Sequence, residues 1–126
     1  MDWIDDVVAI GNWVDARNVV LLKREAIDLI IDARTLFEQS FLGLNRVPTV
    51  KSVLKAADLL VTLSEHKIKV MIRCHRGRDR SPFVAMVYAS KKYAMPYREA
   101  YDFVKQRNPR TVYHWDWVKM LEDQSN

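Results

Sequence analysis

The sequence has 126 residues, 49% of them hydrophobic and 29% charged, which fits one globular domain over residues 1–126 and excludes disordered, collagen-like and low-complexity classes. No apolar run approaches the ~18 residues of a membrane span, and Asp2, Asp5 and Asp6 make the N-terminus acidic where a secretory signal is basic; a soluble, cytoplasmic monomer without membrane insertion is therefore expected. Net charge is +4 but uneven: residues 1–44 carry four Lys/Arg against eight Asp/Glu, residues 45–121 carry sixteen against six, and the densest basic stretch, 67–80, encloses the only cysteine.

Residues 7–11 form a short apolar run closed by Gly11, a first strand. A helical stretch is expected over 15–26, and the branched aliphatics of 27–31 predict a buried strand. Residues 33–49 show no clean period and read as loop, with an edge strand around 41–47. From Val50 the set Val50, Val53, Leu54, Ala57, Leu60 and Val61 keeps three- and four-residue spacing, which predicts an amphipathic helix ending near Ser64. Residues 69–73 follow as a strand. After Pro82, taken as the first residue of its helix, residues 83–89 are apolar nearly all round and predict a buried helix. Pro96 opens another that stops before Pro109, and a last helix is expected over 113–123. Strands interleaved with helices imply an α/β domain with a largely parallel sheet flanked by helices. Ligands in such sheets bind beyond the carboxyl ends of the strands, and the Arg73-Cys74 junction is such an end.

The segment after that strand reads Cys74-His75-Arg76-Gly77-Arg78-Asp79-Arg80-Ser81-Pro82. A lone cysteine forms neither an internal disulfide nor a thiolate-rich zinc site, so it is a buried filler or a reactive thiol. A short loop between a strand and a helix can aim successive backbone N–H groups at one point, where the helix dipole favours negative charge. That is a cradle for a tetrahedral dianion, a phosphate-binding loop. Arg80 can fold back and grip two oxygens bidentately. Cys74 shares the same positive field, so its pKa is expected to fall from about 8.5 toward about 3.5–7.5. A thiolate facing a phosphate suggests in-line attack on phosphorus, giving a phosphocysteine that water hydrolyses. No metal or other cofactor is needed. Gly77 lets the loop turn, and the Ser81 hydroxyl can hydrogen-bond the sulfur when it leaves. His75, Arg76, Gly77 and Arg78 complete the substrate-binding loop.

These residues resemble the signature Cys-x-x-Gly-x-x-Arg-Ser/Thr of the cysteine-dependent protein tyrosine phosphatase superfamily, and Arg80-Ser81-Pro82 looks like its small dual-specificity group. Ile10-Gly11 with Asp15-Ala16-Arg17-Asn18 and Leu21-Leu22 is similar to that group's opening strand and first helix. Residues 103–107 and 117–121 look like its last two helices. The resemblance implies a mostly parallel sheet flanked by helices, a shallow pocket and a phosphorylated protein as substrate.

Two departures stand out. The residue before the cysteine, usually histidine, is Arg73. The family's general-acid aspartate lies in a loop matching residues 47–52, and this sequence has no acid between Glu38 and Asp58. Asp79, directly before Arg80, is similar to the aspartate in the loop of myotubularins and Sac-type phosphatases. It either donates the leaving-group proton or braces the loop by pairing with Arg73, Arg76 or Arg78. Asp32 and Glu38 are the other candidate acids, His75 could lend a proton from the rim, and His114 stands where the group often has an asparagine, a position to order the hydrolytic water. Basic rim residues also admit a polyanionic lipid or RNA 5′-triphosphate as substrate. The missing acid admits a phosphate-binding module without turnover.

Overall fold

The computed structural model describes residues 1–40, 43 and 45–124. Four strands, β1 (Asp2–Trp3), β2 (Val8–Gly11), β3 (Leu29–Asp32) and β6 (Val70–Arg73), form one sheet in the order β1-β2-β6-β3, with two further strands, β4 (Phe37–Gln39) and β5 (Arg46–Pro48), pairing as a separate antiparallel hairpin. β1 runs antiparallel to β2, whereas β2 and β3 flank β6 in parallel. Val70, Met71 and Ile72 are fully buried, as a central parallel strand covered on both faces requires.

The helices are α1 (Val19–Arg24), α2 (Val50–Glu65), α3 (Arg80–Tyr93), α4 (Tyr97–Arg107) and α5 (Trp115–Gln124). α3 is buried without interruption from Ser81 to Ala89 and packs between α2 and α4. The predicted stripe of α2 faces it: Val53, Ala57 and Leu60 are completely buried, one turn apart along the helix. Phe37, Phe83, Tyr101 and Trp117 meet edge-on or tilted, with ring centroids 5.0–6.2 Å apart, and join the hairpin, α3, α4 and α5 into one core. Among the described residues no helix is long and apolar enough to cross a membrane.

The structure corrects several expectations. The helix expected over 15–26 is a 3-10 turn, Asp15–Arg17, followed by α1, because the Asn18 side chain accepts from the Leu21 N–H (3.0 Å) and caps a new start. The strand expected over 27–31 is β3, two residues later at its start, and it is not buried: Leu29 and Ile30 are 47% and 41% exposed. β3 is the sheet's edge, and α1 buries none of its own residues, so nothing covers that corner. Pro82 is the third residue of α3 rather than the first. It is tolerated there because first-turn N–H groups lack intrahelical acceptors. The edge strand expected over 41–47 falls partly on residues 41, 42 and 44, which lie outside the described residues. β1 was not anticipated; two residues carry no period.

Behind the sheet, Asp5 holds the N-terminal segment. Its carboxylate accepts from the N–H groups of Val7 and Val8 (both 2.9 Å) and from the hydroxyls of Tyr88 (2.5 Å) and Tyr93 (2.7 Å). Burial pushes its pKa up, but these hydrogen bonds outweigh it and leave the group below its ordinary value. Asp5→Ala strands four donors and is expected to cost about 2 kcal/mol of stability, whereas Asp6→Ala, on an exposed residue, should stay within about 0.5 kcal/mol. A depressed carboxyl contributes fully above its unfolded pKa and loses that contribution as pH falls through the folded value. Denaturant midpoints for the wild type and Asp5→Ala should therefore converge in acid.

Candidate active site

β2, β6 and β3 end level, with Gly11 and Asp32 both in register with Arg73. The chain leaves this end at Cys74 and enters α3 at Arg80, so residues 74–79 form the strand-to-helix turn. Its carbonyls are taken up by the scaffold outside it. The His75 carbonyl accepts from the Trp13 N–H (3.1 Å), that of Gly77 from the Asn108 side-chain amide (3.0 Å), and that of Arg78 from the Val112 N–H (2.8 Å). The Cys74 N–H donates to the Gly11 carbonyl (3.3 Å). The N–H groups of Gly77 and Ser81 donate to the Cys74 sulfur at 3.2 and 3.5 Å. Those of His75, Arg76, Arg78, Asp79 and Arg80 meet no acceptor among the described residues. The turn depends on Gly77, whose φ of +70° disfavours any side chain and whose added Cβ would stand 3.4 Å from the Gly11 carbonyl oxygen.

Cys74 is 1% exposed. Burial pushes its thiol pKa up, yet the Ser81 hydroxyl, the N–H groups of Ser81 and Gly77 and the charge of Arg80 together bring it below the ordinary value. The Ser81 hydroxyl is buried and makes no well-formed hydrogen bond to any described group. Arg80 has no carboxylate partner among the described residues, and its guanidinium is uncommitted.

Arg73 does not serve the sulfur. Its side chain crosses to the neighbouring strand, Nη1 lying 3.3 Å from Asp32 Oδ2, as the Asp32–Arg73 register directs. Asp32 also takes a two-pronged grip from Arg34, at 2.8–3.2 Å, and this bond, with the charges of Arg34 and Arg73, brings its carboxyl down to about 2 against a smaller effect of burial. Glu38 is exposed on the β4–β5 hairpin. Asp79 Oδ2 accepts from Arg78 Nε (3.2 Å), and its Oδ1 lies 2.8 Å from His114 Nε2.

His75, Arg76 and Arg78 are exposed on the rim. His75 stacks parallel to Trp13, ring centroids 6.0 Å apart, and beside this stack a cleft of about 580 Å³ is lined by Asn12, Arg76, Arg78 and Arg110. Trp13, Asn108 and the backbone of Val112 were not singled out from the sequence. Asn108 had a weak sign, a polar residue ahead of a helix-ending proline, and it proves 97% buried with its amide shared between the Gly77 carbonyl and Thr111.

This arrangement has relatives. The family model for the dual specificity phosphatase catalytic domain matches residues 10–126. The chain is 26% identical over 129 residues to the protein-tyrosine-phosphatase IBR5 of Arabidopsis thaliana, covering 95% of this chain and 49% of that protein. It is 36% identical over 53 residues to human dual specificity protein phosphatase 5, covering 42% of this chain and 14% of that protein. The chain thus spans half or less of the length of these curated relatives. In structure it is similar to the human tyrosine phosphatase-like serine/threonine/tyrosine-interacting protein, with a TM-score of 0.80 at 15% identity over 99% of this chain and 95% of the other; at that identity the likeness is one of fold. With the family model matching from the second strand onward, this chain belongs to the dual specificity phosphatase catalytic-domain family.

Proposed function

We propose that the protein is a phosphatase that works through the Cys74 thiolate and a phosphocysteine intermediate, with phosphotyrosine proteins as its main substrate and phosphoserine or phosphothreonine proteins admitted. The observation that carries this reading is the pairing of a buried sulfur, supplied with donors, and five N–H groups that have no acceptor among the described residues. Those donors and the uncommitted Arg80 suit the equatorial oxygens of a phosphoryl group. With the phosphate so seated, Cys74 attacks phosphorus as the ester oxygen leaves, and water then attacks the phosphocysteine. The sulfur departs as thiolate, eased by the Ser81 hydroxyl and the two N–H groups that already favour its charge. Thiolate attack requires no metal.

An aryl ester is favoured by the rim. The flat Trp13–His75 stack stands at the mouth, and a phosphotyrosine ring can pack against its edge. Arg76, Arg78 and Arg110 supply positive charge for acidic residues beside the phosphate.

In the presence of a chelator, para-nitrophenyl phosphate should be hydrolysed. Cys74→Ser should abolish turnover while keeping oxyanion binding, and Arg80→Lys should lose about 10²-fold or more; full activity in Cys74→Ser would overturn the mechanism. The rate of Cys74 alkylation against pH should inflect below the ordinary thiol value of about 8.5, and Ser81→Ala should move the inflection upward because the hydroxyl favours the thiolate. For substrate class, kcat/KM on a phosphotyrosine peptide, an inositol phosphate and 5′-triphosphate RNA is compared at one salt concentration, since a basic rim inflates polyanion binding in low salt. A polyanion preference of about tenfold, ~1.4 kcal/mol, would replace the phosphotyrosine assignment.

A further inference from the structure

The leaving oxygen needs a proton, and the loop that carries the donor aspartate elsewhere in the resemblance has no acid here. Asp32 is spent on Arg34 and Arg73 with its carboxyl at about 2, and Glu38 sits exposed on the hairpin without a hydrogen bond to residues 74–80. The acid–base groups that share one cleft with Arg80 are Asp79, His114 and Asp116, and of these Asp79 and His114 touch each other at 2.8 Å.

His114 is held rigidly for that contact. Its ring lies flat on Trp117, centroids 3.7 Å apart and planes within 9°. Its N–H donates to the Tyr101 hydroxyl (3.3 Å), and its carbonyl accepts from the N–H groups of Trp117 and Val118, starting α5. A ring pinned by stacking and backbone on both sides can present Nε2 in one direction, toward Asp79. Asp79 in turn is fixed by Arg78 from its other oxygen and joined by one peptide bond to Arg80. The Asp79 and Arg80 side chains line one cleft.

We infer that Asp79 and His114 act as one proton-donating pair: Asp79 hands the proton to the leaving oxygen while His114, its positioning residue, supplies that proton through the Nε2–Oδ1 hydrogen bond. The inference rests on the thiolate mechanism proposed above. The balance closes over the cycle. In the first step the S–P bond forms and the P–O ester bond breaks while one proton passes from the His114 imidazolium to the Asp79 carboxylate and from it to the leaving oxygen, leaving neutral imidazole beside the carboxylate. In the second step water adds to phosphorus, its proton goes to Asp79 and on to His114, and the S–P bond breaks with its electron pair on sulfur. The charged or titratable groups facing the pair are Arg78 in the loop, Arg80 on α3, Tyr101 on α4, Arg46 on β5 and Asp116 on α5.

The test is a leaving-group series, from 2,4-dinitrophenyl to phenyl phosphate, on the wild type, Asp79→Asn, His114→Gln and the double variant, with kcat and KM resolved across pH. General acid catalysis is typically worth about 10²–10⁴-fold and matters most for basic leaving groups. Both single variants should lose at least about tenfold more kcat on phenyl than on dinitrophenyl phosphate, and lose the alkaline limb of the wild-type pH profile. The double variant should be no worse than either single, as two members of one unit behave. His114→Gln keeps a donor toward Asp79 and can brace but not titrate, so wild-type rates on phenyl phosphate in that variant would overturn the role. So would equal losses on both substrates, the mark of a loop merely disordered. Thermal melting and oxyanion binding are read on every variant; His114→Asn serves if His114→Gln melts early. Should the wild type turn over neither ester, or Cys74→Ser turn over both, the thiolate reading itself fails and the pair falls with it. If Cys74→Ser is dead and the series is flat, only the pair fails.

Discussion

A sulfur taken out of water whose thiol pKa is nonetheless held below its ordinary value is the constraint around which this chain is arranged. Burial alone works against the charge, and the chain answers with donors that are already in place: two N–H groups, a serine hydroxyl and one guanidinium. Supplying them requires the turn after β6 to aim the Gly77 and Ser81 N–H groups at the sulfur while its carbonyls find partners elsewhere. They find Trp13, Asn108 and Val112. The positive φ of Gly77 is the local cost of that arrangement, and the level ends of three parallel strands provide the platform on which it is built.

Carboxylates decide which cations remain available. Asp32 takes Arg34 and Arg73, and Asp79 takes Arg78, each by direct ion pairing. Arg76, Arg80 and Arg110 have no carboxylate partner among the described residues. The cations without a carboxylate partner thus stand at Arg80 and the Arg76–Arg110 cleft, while on the β3 side Arg34 and Arg73 share the one carboxylate of Asp32. Arg73, though adjacent to the cysteine in sequence, belongs to the β3 side: the register sets it beside Asp32, and its guanidinium pairs with that carboxylate.

Elements with a strong period were legible from the sequence. α2 and α3 stand where spacing and continuous apolarity put them, and the turn at Cys74 follows from glycine, arginine and serine at fixed distances. What escaped was set by pairing between distant segments. The exposure of Leu29 and Ile30 depends on β3 being the outermost strand, which no local pattern states. The split of the first helix turned on a single capping side chain, Asn18. In the candidate site, the turn residues could be named in advance, but their supports could not: Trp13 and Val112 contribute backbone N–H groups, which every non-proline residue possesses. Asp79 was open between acid and brace, and its contact with His114, thirty-five positions away in the chain, was beyond the reach of spacing arguments.

The supports of the turn come from residues 11–13 near one end of the chain and 108–112 near the other. Between them lies almost the whole domain, so the turn is assembled only when β2, β6, α3 and the segment joining α4 to α5 are docked together. Locally opened states that free the segment after α4 retain Cys74 and Arg80 but release two of the three outward carbonyls. The thiol then loses the fixed donors that offset its burial, and its nucleophilicity goes with them. Under the proposed thiolate mechanism, reactivity at Cys74 would in this sense be a property of the cooperative unit, a built-in gauge of whether the domain is whole.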